Sequence, residues 1–351
     1  MLIRLKRALA ATTLDSILLV CKELGYSYAF LDEARTLLQL DGLGGADHRT
    51  RFEDLTGVAS VLEAGSAYEL HERAPGRKDT RVTVRNAIFG DGNVSLIGGP
   101  CAVEDSERLI EIAQRVEAAG ATLLRGGAFK PRTSPYSFQG HGERGLESLA
   151  AARAATGLGI VTEVLDPRDV ERVGAVCDMF QIGARNMANA PLLREVGRTQ
   201  TPVLLKRGFA ATVREFVLAA ETILAEGNEA VVLCERGIRS FDKTTRNLLD
   251  VGAVAHLKRA THLPVIVDPS HAAGRADLVR PLSRAGLAAG ADGLIIEVHP
   301  APEEAQSDGA QAISAEEFSR ITDDARILAG LDGRRLALSG TSKTQPVETL
   351  T

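Results

Sequence analysis

The sequence predicts an α/β protein, a (β/α)8 TIM barrel preceded by a small ferredoxin-like α+β domain. Three observations carry that expectation. From about residue 94 onward, eight short apolar runs alternate with amphipathic helical stretches. Ionisable residues gather where those runs end. The first 75 residues or so follow a different rhythm.

In chain order, "LIRLKRAL" reads as a strand and "TLDSILLVCKELGY" as a helix, with Leu14, Ile17, Leu18 and Cys21 at helical spacing. "RTLLQLDG" is strand-like, "RTRFEDLTGVASVLEAG" helix-like and "AYELHER" strand-like again. That β-α-β-(α)-β order suits a ferredoxin-like module over residues 1–75. Residues 76–93 read as a linker and a hairpin, "VTVRNAIFGDGNVSLI", with its turn at Gly90-Asp91-Gly92. The barrel strands are "VSLIGGP" (94–100), "TLLRGGA" (122–128), "IVTEVL" (160–165), "MFQIGA" (179–184), "PVLLKRG" (202–208), "AVVLCERG" (230–237), "PVIVDPSH" (264–271) and "GLIIEVHP" (293–300). Near-continuous apolar strands separated by helices are buried on both faces, which indicates a parallel sheet. Eight such units within 94–333 fit a closed barrel better than an open doubly wound sheet. The end of the chain, 334–351, is polar and expected to fray.

Composition narrows the function classes. With 351 residues, 44% hydrophobic and 25% charged, the chain is long enough for one large domain plus a small one. A net charge of −5, no long basic run, no Trp and only 4 Tyr argue against a nucleic-acid surface. No stretch approaches a membrane helix. Thr12, Thr13, Asp15 and Ser16 interrupt the only segment with the look of a signal peptide. The four cysteines, Cys21, Cys101, Cys177 and Cys234, form no CxxC pair, so a reducing cytoplasm is the default location.

In a barrel, chemistry sits where each strand ends. Those ends carry Cys101; Arg125 and Lys130; Glu163; Arg185; Lys206 and Arg207; Glu235 and Arg236; Asp268 and His271; Glu297 and His299. One subset is cationic: Arg125, Lys130, Arg132, Arg185, Lys206 and Arg236. Converging cations repel and lose hydration unless an anion compensates them, and this many ask for two phosphates, or a phosphate and a carboxylate. The other subset is Cys101, His271, Glu297 and Asp308. A thiolate, an imidazole and two carboxylates can hold one divalent metal ion, with Mn, Fe, Co and Zn all left open. Spacing alone does not settle this second set, because a lone buried Cys is often a small hydrophobe and "DPSH" can be a plain turn.

Seven motifs then converge. "GPCAVE" (99–104), "LLRGGAFKPRTSPYSFQG" (123–140), "QIGARNM" (181–187), "LLKRG" (204–208), "CERGIRSF" (234–241), "DPSHAAGR" (268–275) and "IIEVHPAPEEAQSDG" (295–309) resemble type I 3-deoxy-D-arabino-heptulosonate-7-phosphate (DAHP) synthases of the branch with an N-terminal ferredoxin-like domain. The resemblance is dense over 85–333; over 1–80 only the pattern of elements agrees. It implies condensation of phosphoenolpyruvate with erythrose 4-phosphate, the first step towards chorismate and the aromatic amino acids. It implies a phosphoenolpyruvate pocket of Arg125, Lys130, Arg185, Lys206 and Arg236, and an aldose-phosphate grip at Arg132 and Thr133. Cys101, His271, Glu297 and Asp308 match the family's metal ligands. Lys130, close in sequence to the aldose-binding loop, is read as proton donor to the new alkoxide; the water-activating base is not legible in the sequence, Glu163 being one option. Feedback inhibition by tyrosine or phenylalanine through a regulatory N-terminal domain, a homotetramer and a chorismate mutase partner are also implied. His141 departs from the apolar residue the pattern calls for. Three rivals stand beside this reading: 3-deoxy-D-manno-octulosonate-8-phosphate synthase, a Schiff-base aldolase using Lys130 or Lys206, and a barrel that lost catalysis and serves as a sensor or scaffold.

Overall fold

The structure is a computed structural model that describes residues 1–6, 9–30, 35–42, 48–62, 70–73, 77–130, 136 and 138–337. The chain divides into two compact units, Met1–Leu70 and His71–Thr351.

The first unit runs β1 (Leu2–Leu5), α1 (Ala11–Glu23), β2 (Ser27–Phe30), β3 (Leu37–Asp41), α2 (Arg49–Glu53) and β4 (Val58–Leu62). Its sheet order is β2-β3-β1-β4, the ferredoxin-like β-α-β-β-α-β arrangement. Period-two burial turns Ile3, Leu5, Leu38 and Leu40 inward, against Ile17 and Cys21 of α1 and Phe52 of α2. Two sequence expectations need correction. "RTRFEDLTGVASVLEAG" is helical only over Arg49–Glu53; the chain then turns at Gly57 (φ +96°), and the β-branched Val58 and Val61 enter the sheet as β4. The strand "SYAF" was not anticipated, its four residues being too few to show a period. Of the strand expected at "AYELHER" (67–73), residues 67–69 lie outside the described residues, and Leu70–Arg73 form no strand but a turn and an isolated bridge from Glu72 to Thr261.

The second unit opens with a hairpin, β5 (Val82–Val84) and β6 (Ala87–Phe89). Eight parallel strands follow: β7 (Asn93–Gly99), β8 (Leu123–Arg125), β9 (Gly159–Glu163), β10 (Met179–Ile182), β11 (Val203–Lys206), β12 (Val231–Glu235), β13 (Val265–Val267) and β14 (Gly293–Glu297). Each pairs with the next, and β14 returns to β7 in register from Gly293↔Ser95 to Glu297↔Gly99, closing the barrel. All eight apolar runs of the sequence are strands. Around them lie α3 (Ser106–Ala118), α4 (Glu143–Thr156), α5 (Val170–Gly174), α6 (Ala190–Arg198), α7 (Val213–Ala225), α8 (Val251–Ala260), α9 (Pro269–Ala273), α10 (Val279–Ala288) and α11 (Ala315–Leu331). The sequence starts them locally. Asp105 caps α3 by accepting from Arg108 N, and Thr212 with Glu215 forms a capping box on α7. Leu109, Ile112, Ala113 and Val116 then line the one face of α3 that packs inward.

The hairpin plugs the barrel at the end where its strands begin. Val82, Val84, Ala87 and Phe89 share one core with Ile97, Leu123, Met179 and other inward strand residues. A Cβ on Gly293, the first residue of β14, would stand 3.3 Å from the Phe89 ring. Burying that phenyl contributes roughly 2 kcal/mol. The hairpin's turn is at Arg85-Asn86, not at Gly90-Asp91-Gly92, which instead joins β6 to β7. Part of the expected polar tail is also ordered: β15 (Arg335–Leu336) pairs with β7, and Arg334 donates to Ala291 O (2.6 Å) and Leu287 O (2.9 Å). With one end closed, the open mouth is where the strands end. Among the described residues no helix is long and apolar enough to cross a membrane.

Candidate active site

At the mouth, four side chains from three strand ends meet. Cys101 Sγ, a His271 ring nitrogen, and carboxylate oxygens of Glu297 and Asp308 all lie within 4.8 Å of one another. Each is set by local backbone. Gly99 (φ +145°) passes so close to the Arg125 carbonyl that a side chain there would collide with it, and Cys101 follows two residues on. Asp268 caps the short helix α9: Oδ1 accepts His271 N at 3.0 Å, and Oδ2 lies 2.7 Å from His271 Nδ1. That second contact assigns the proton to Nδ1 and leaves Nε2 bare, 3.1 Å from Glu297 Oε1. Glu297 is fully buried; Gln311 Nε2 donates to its Oε2 at 2.7 Å, while Oε1 accepts no hydrogen bond. Asp308 adopts a left-handed backbone (φ +56°), its Oδ2 3.2 Å from Cys101 Sγ and its Oδ1 3.0 Å from Arg246 Nη1.

The electrostatics suit a bound cation. Burial, reinforced by Glu297, pushes the Cys101 thiol up to about 12. Burial also draws His271 below its ordinary value, so its ring is neutral. Although burial opposes it, His271 and Arg246 hold the Asp308 carboxyl well below the usual range. A buried carboxylate oxygen without a donor, a bare imidazole nitrogen and an adjacent thiol form a donor set that fits one divalent first-row cation, which would displace the thiol proton on binding.

The cations line the same cavity, about 620 Å³ counting its open mouth. Arg125 is buried with Nη2 3.2 Å from Glu297 Oε1, and its Nε and Nη1 have no hydrogen-bond partner among the described residues. Lys130 Nζ donates to Cys101 O (3.0 Å) and to Cys101 Sγ (3.1 Å). Lys206 Nζ donates to Asp268 Oδ2 at 2.5 Å. Arg236 is buried and Arg185 is exposed at the rim. Glu163 reaches the cavity from β9, and burial holds its carboxyl above the usual value. A Cβ at position 183 would run into the Glu163 carboxylate, so a side chain there would force that carboxylate to move. Arg132 and Thr133 lie outside the described residues.

Not every ionisable strand end joins the site. Arg207 pairs with Glu235 (2.8 Å) and Asp250 (3.1 Å), away from the cavity, because adjacent residues on a strand face opposite ways. His299 turns towards Glu104, 3.5 Å away. His141 stacks edge-on against Phe138, ring centroids 5.0 Å apart. Sequence reasoning missed Arg246, Gln311 and Phe209, which lies at the cavity wall. Gln311 and Phe209 carry no charge to single them out, and Arg246 sits well past its strand end.

Fold and site together define a class: a parallel barrel whose mouth carries a cation-lined cavity beside a Cys, His, Glu and Asp group that could hold a metal ion. Residues 75–329 match the DAHP synthetase I family, and the chain belongs to it. It is 49% identical over 279 residues to a phospho-2-dehydro-3-deoxyheptonate aldolase of Thermotoga maritima, covering 80% of this chain and 82% of that protein. A crystal structure of phospho-2-dehydro-3-deoxyheptonate aldolase (DAHP synthase) from Thermotoga maritima matches with a TM-score of 0.74 and 41% identity, over 95% of this chain and 98% of the other. A truncated form of 3-deoxy-D-arabino-heptulosonate 7-phosphate synthase from the same organism matches with a TM-score of 0.71 and 44% identity, over 76% and 98%. A 2-dehydro-3-deoxyphosphooctonate aldolase of Syntrophotalea carbinolica is 32% identical, over 68% of this chain and 91% of that protein.

Proposed function

We propose that this chain condenses phosphoenolpyruvate with erythrose 4-phosphate and water to give DAHP and inorganic phosphate, opening the shikimate route to the aromatic amino acids. The observation that carries it is Arg125: two buried guanidinium nitrogens without partners among the described residues, beside the Cys101–His271–Glu297–Asp308 group. Buried donors left unpaired are costly, and a substrate phosphate or carboxylate satisfies them. Family membership and the greater likeness to the heptonate aldolase than to the octonate aldolase support the choice of aldose.

In this reading Arg125, Arg185, Lys206 and Arg236 hold the phosphate and carboxylate of phosphoenolpyruvate and fix its reactive face. Arg132 and Thr133 grip the phosphate of erythrose 4-phosphate. Cys101, His271, Glu297 and Asp308 would hold a divalent cation, which would supply Lewis-acid polarisation of the aldehyde. Carbon 3 of phosphoenolpyruvate attacks that aldehyde carbon, and the new alkoxide takes a proton from Lys130. Electron demand at carbon 2 is met by water, which gives a proton to Glu163, and the C–O bond to phosphate breaks. Glu163's raised pKa, burial being the main cause, suits it to take that proton. Lys130 is held above its ordinary value although burial opposes it, because Cys101 and Glu163 outweigh burial; Lys206 is ion-paired with Asp268. The raised pKa of Lys130 and the ion pair that engages Lys206 both disfavour a Schiff-base mechanism, which needs a free neutral amine.

The N-terminal unit is assigned to feedback inhibition by tyrosine or phenylalanine, the active assembly to a homotetramer, and chorismate mutase to a partner role. All four cysteines are free and buried, in keeping with a cytoplasmic setting. The test compares phosphate release from phosphoenolpyruvate with erythrose 4-phosphate and with arabinose 5-phosphate. Turnover confined to erythrose 4-phosphate is expected; turnover confined to arabinose 5-phosphate would transfer the assignment to the octulosonate enzyme.

A further inference from the structure

Two arginines of the cavity wall, Arg185 and Arg236, and a third just outside its lining, Arg239, gather around one neutral ring. Arg185 follows β10, Phe209 follows β11, and Arg236 and Arg239 follow β12, so three consecutive strands contribute. The guanidinium carbons of Arg236, Arg185 and Arg239 stand 4.8, 5.4 and 5.4 Å from the centroid of the Phe209 ring. Arg239 N donates to Phe209 O at 2.7 Å, tying the two loops by their backbones. Among the described residues, the side chains of Arg185 and Arg239 make no hydrogen bond or ion pair. Arg236 donates to the carbonyls of Gly237 (3.1 Å) and His271 (3.3 Å). Like charges repel, and gathering three guanidiniums, none of them in an ion pair among the described residues, costs free energy that nearby carboxylates such as Glu163 offset only in part. The electron-rich face of a phenyl ring does so in part, while leaving the N–H edges of each stacked guanidinium free for oxygen acceptors.

We infer that Phe209 is a positioning residue that assembles Arg185, Arg236 and Arg239 into one cradle for the phosphate of the enolpyruvyl substrate, and that Arg239 is a binding residue of that cradle. The inference rests on the proposed reaction for the identity of the phosphate, and adds to it a ring and a third arginine. Holding the cations in place before the anion arrives reduces the reorganisation that binding would otherwise require. A leucine fills similar space without the ring's quadrupole, whereas a tyrosine keeps it.

The test uses the full-length protein with Phe209→Leu, Phe209→Tyr and Arg239→Gln, measuring steady-state kinetics for each substrate and the Kd of inorganic phosphate by calorimetry. Phe209→Leu should raise KM for phosphoenolpyruvate and the phosphate Kd about tenfold, the size expected for losing partly desolvated cation–π contacts. Its kcat and its KM for erythrose 4-phosphate should stay near wild type, and Phe209→Tyr should restore phosphoenolpyruvate binding. Arg239→Gln should raise the same KM and flatten its dependence on salt. An unchanged phosphoenolpyruvate KM in Phe209→Leu, a loss confined to kcat, or a tyrosine variant as impaired as the leucine variant would overturn the inference. Should Phe209→Leu fail to fold by circular dichroism, the exposed Arg239 decides: an unchanged KM in Arg239→Gln overturns it. A wild-type protein that turns over neither sugar phosphate, yet loses phosphate affinity in Phe209→Leu, would retain the cradle and refute the reaction.

Discussion

Asp268 shows how much one residue can position. Its two oxygens accept from the His271 backbone, contact the His271 ring and pair with Lys206, so a single carboxylate sets one proposed metal ligand and one proposed substrate cation. Although burial opposes it, His271 and Lys206 hold its carboxyl well below the ordinary range. Asp268→Asn keeps the shape but weakens both contacts. The expected result is a 10- to 100-fold loss of cation affinity in chelator competition, roughly the range seen when a second-shell partner of a ligating histidine is removed. At position 183, Gly→Ala drives a methyl into the Glu163 carboxylate, and the measured consequence should be a large fall in kcat or in soluble yield. At this scale the charged residues on inward strand ends were legible, because a barrel's strand ends carry its site, whereas Arg246, well past its strand end, was not. Phe209 and Gln311 were not, since neutral side chains give no comparable signal and their positions depend on loop paths.

Elements were legible in proportion to their length and period. The eight barrel strands read as near-continuous apolar runs because helices cover their outer face. The short β2 and β4 gave too few residues to show alternation, and the helical look of residues 49–65 hid the break at Gly57. The hairpin turn was misplaced because Gly-Asp-Gly is the stronger turn signal by composition, while pairing of Val82 with Phe89 centres the turn on Arg85-Asn86. Packing between elements was not legible at all. Asp324 on α11 accepts from Arg280 Nε (2.7 Å) and Arg284 Nε (2.7 Å) on α10, clamping the two helices. Those arginines, Arg284 first, hold its carboxyl near 2. A carboxyl depressed on folding stabilises above its unfolded value and loses that contribution as pH falls towards 2. Asp324→Asn should therefore cost about 1 kcal/mol at neutral pH, the solvent-screened value, and nothing below about pH 2, as read from denaturant unfolding across pH.

At the scale of the whole molecule, the two units have separate cores and separate proposed tasks. The hairpin plug belongs to the barrel unit, so the barrel retains its sealed base when the first unit is removed. Deleting residues 1–70 should leave condensation intact and abolish inhibition by tyrosine or phenylalanine; inhibition that survives the deletion would place the effector site in the barrel. The division was legible from the change of rhythm near residue 75, whereas the regulatory task rests on the family's implication. The most direct measurement of the whole account follows phosphoenolpyruvate loss with erythrose 4-phosphate in the purified protein, before chelation, after chelation, and after restoring a divalent metal. Activity that vanishes with the chelator and returns with the metal, and that Cys101→Ser cannot recover, is the expected result. Full activity in the chelated protein, or in Cys101→Ser, would contradict the assignment of Cys101, His271, Glu297 and Asp308 as the centre on which the reaction depends.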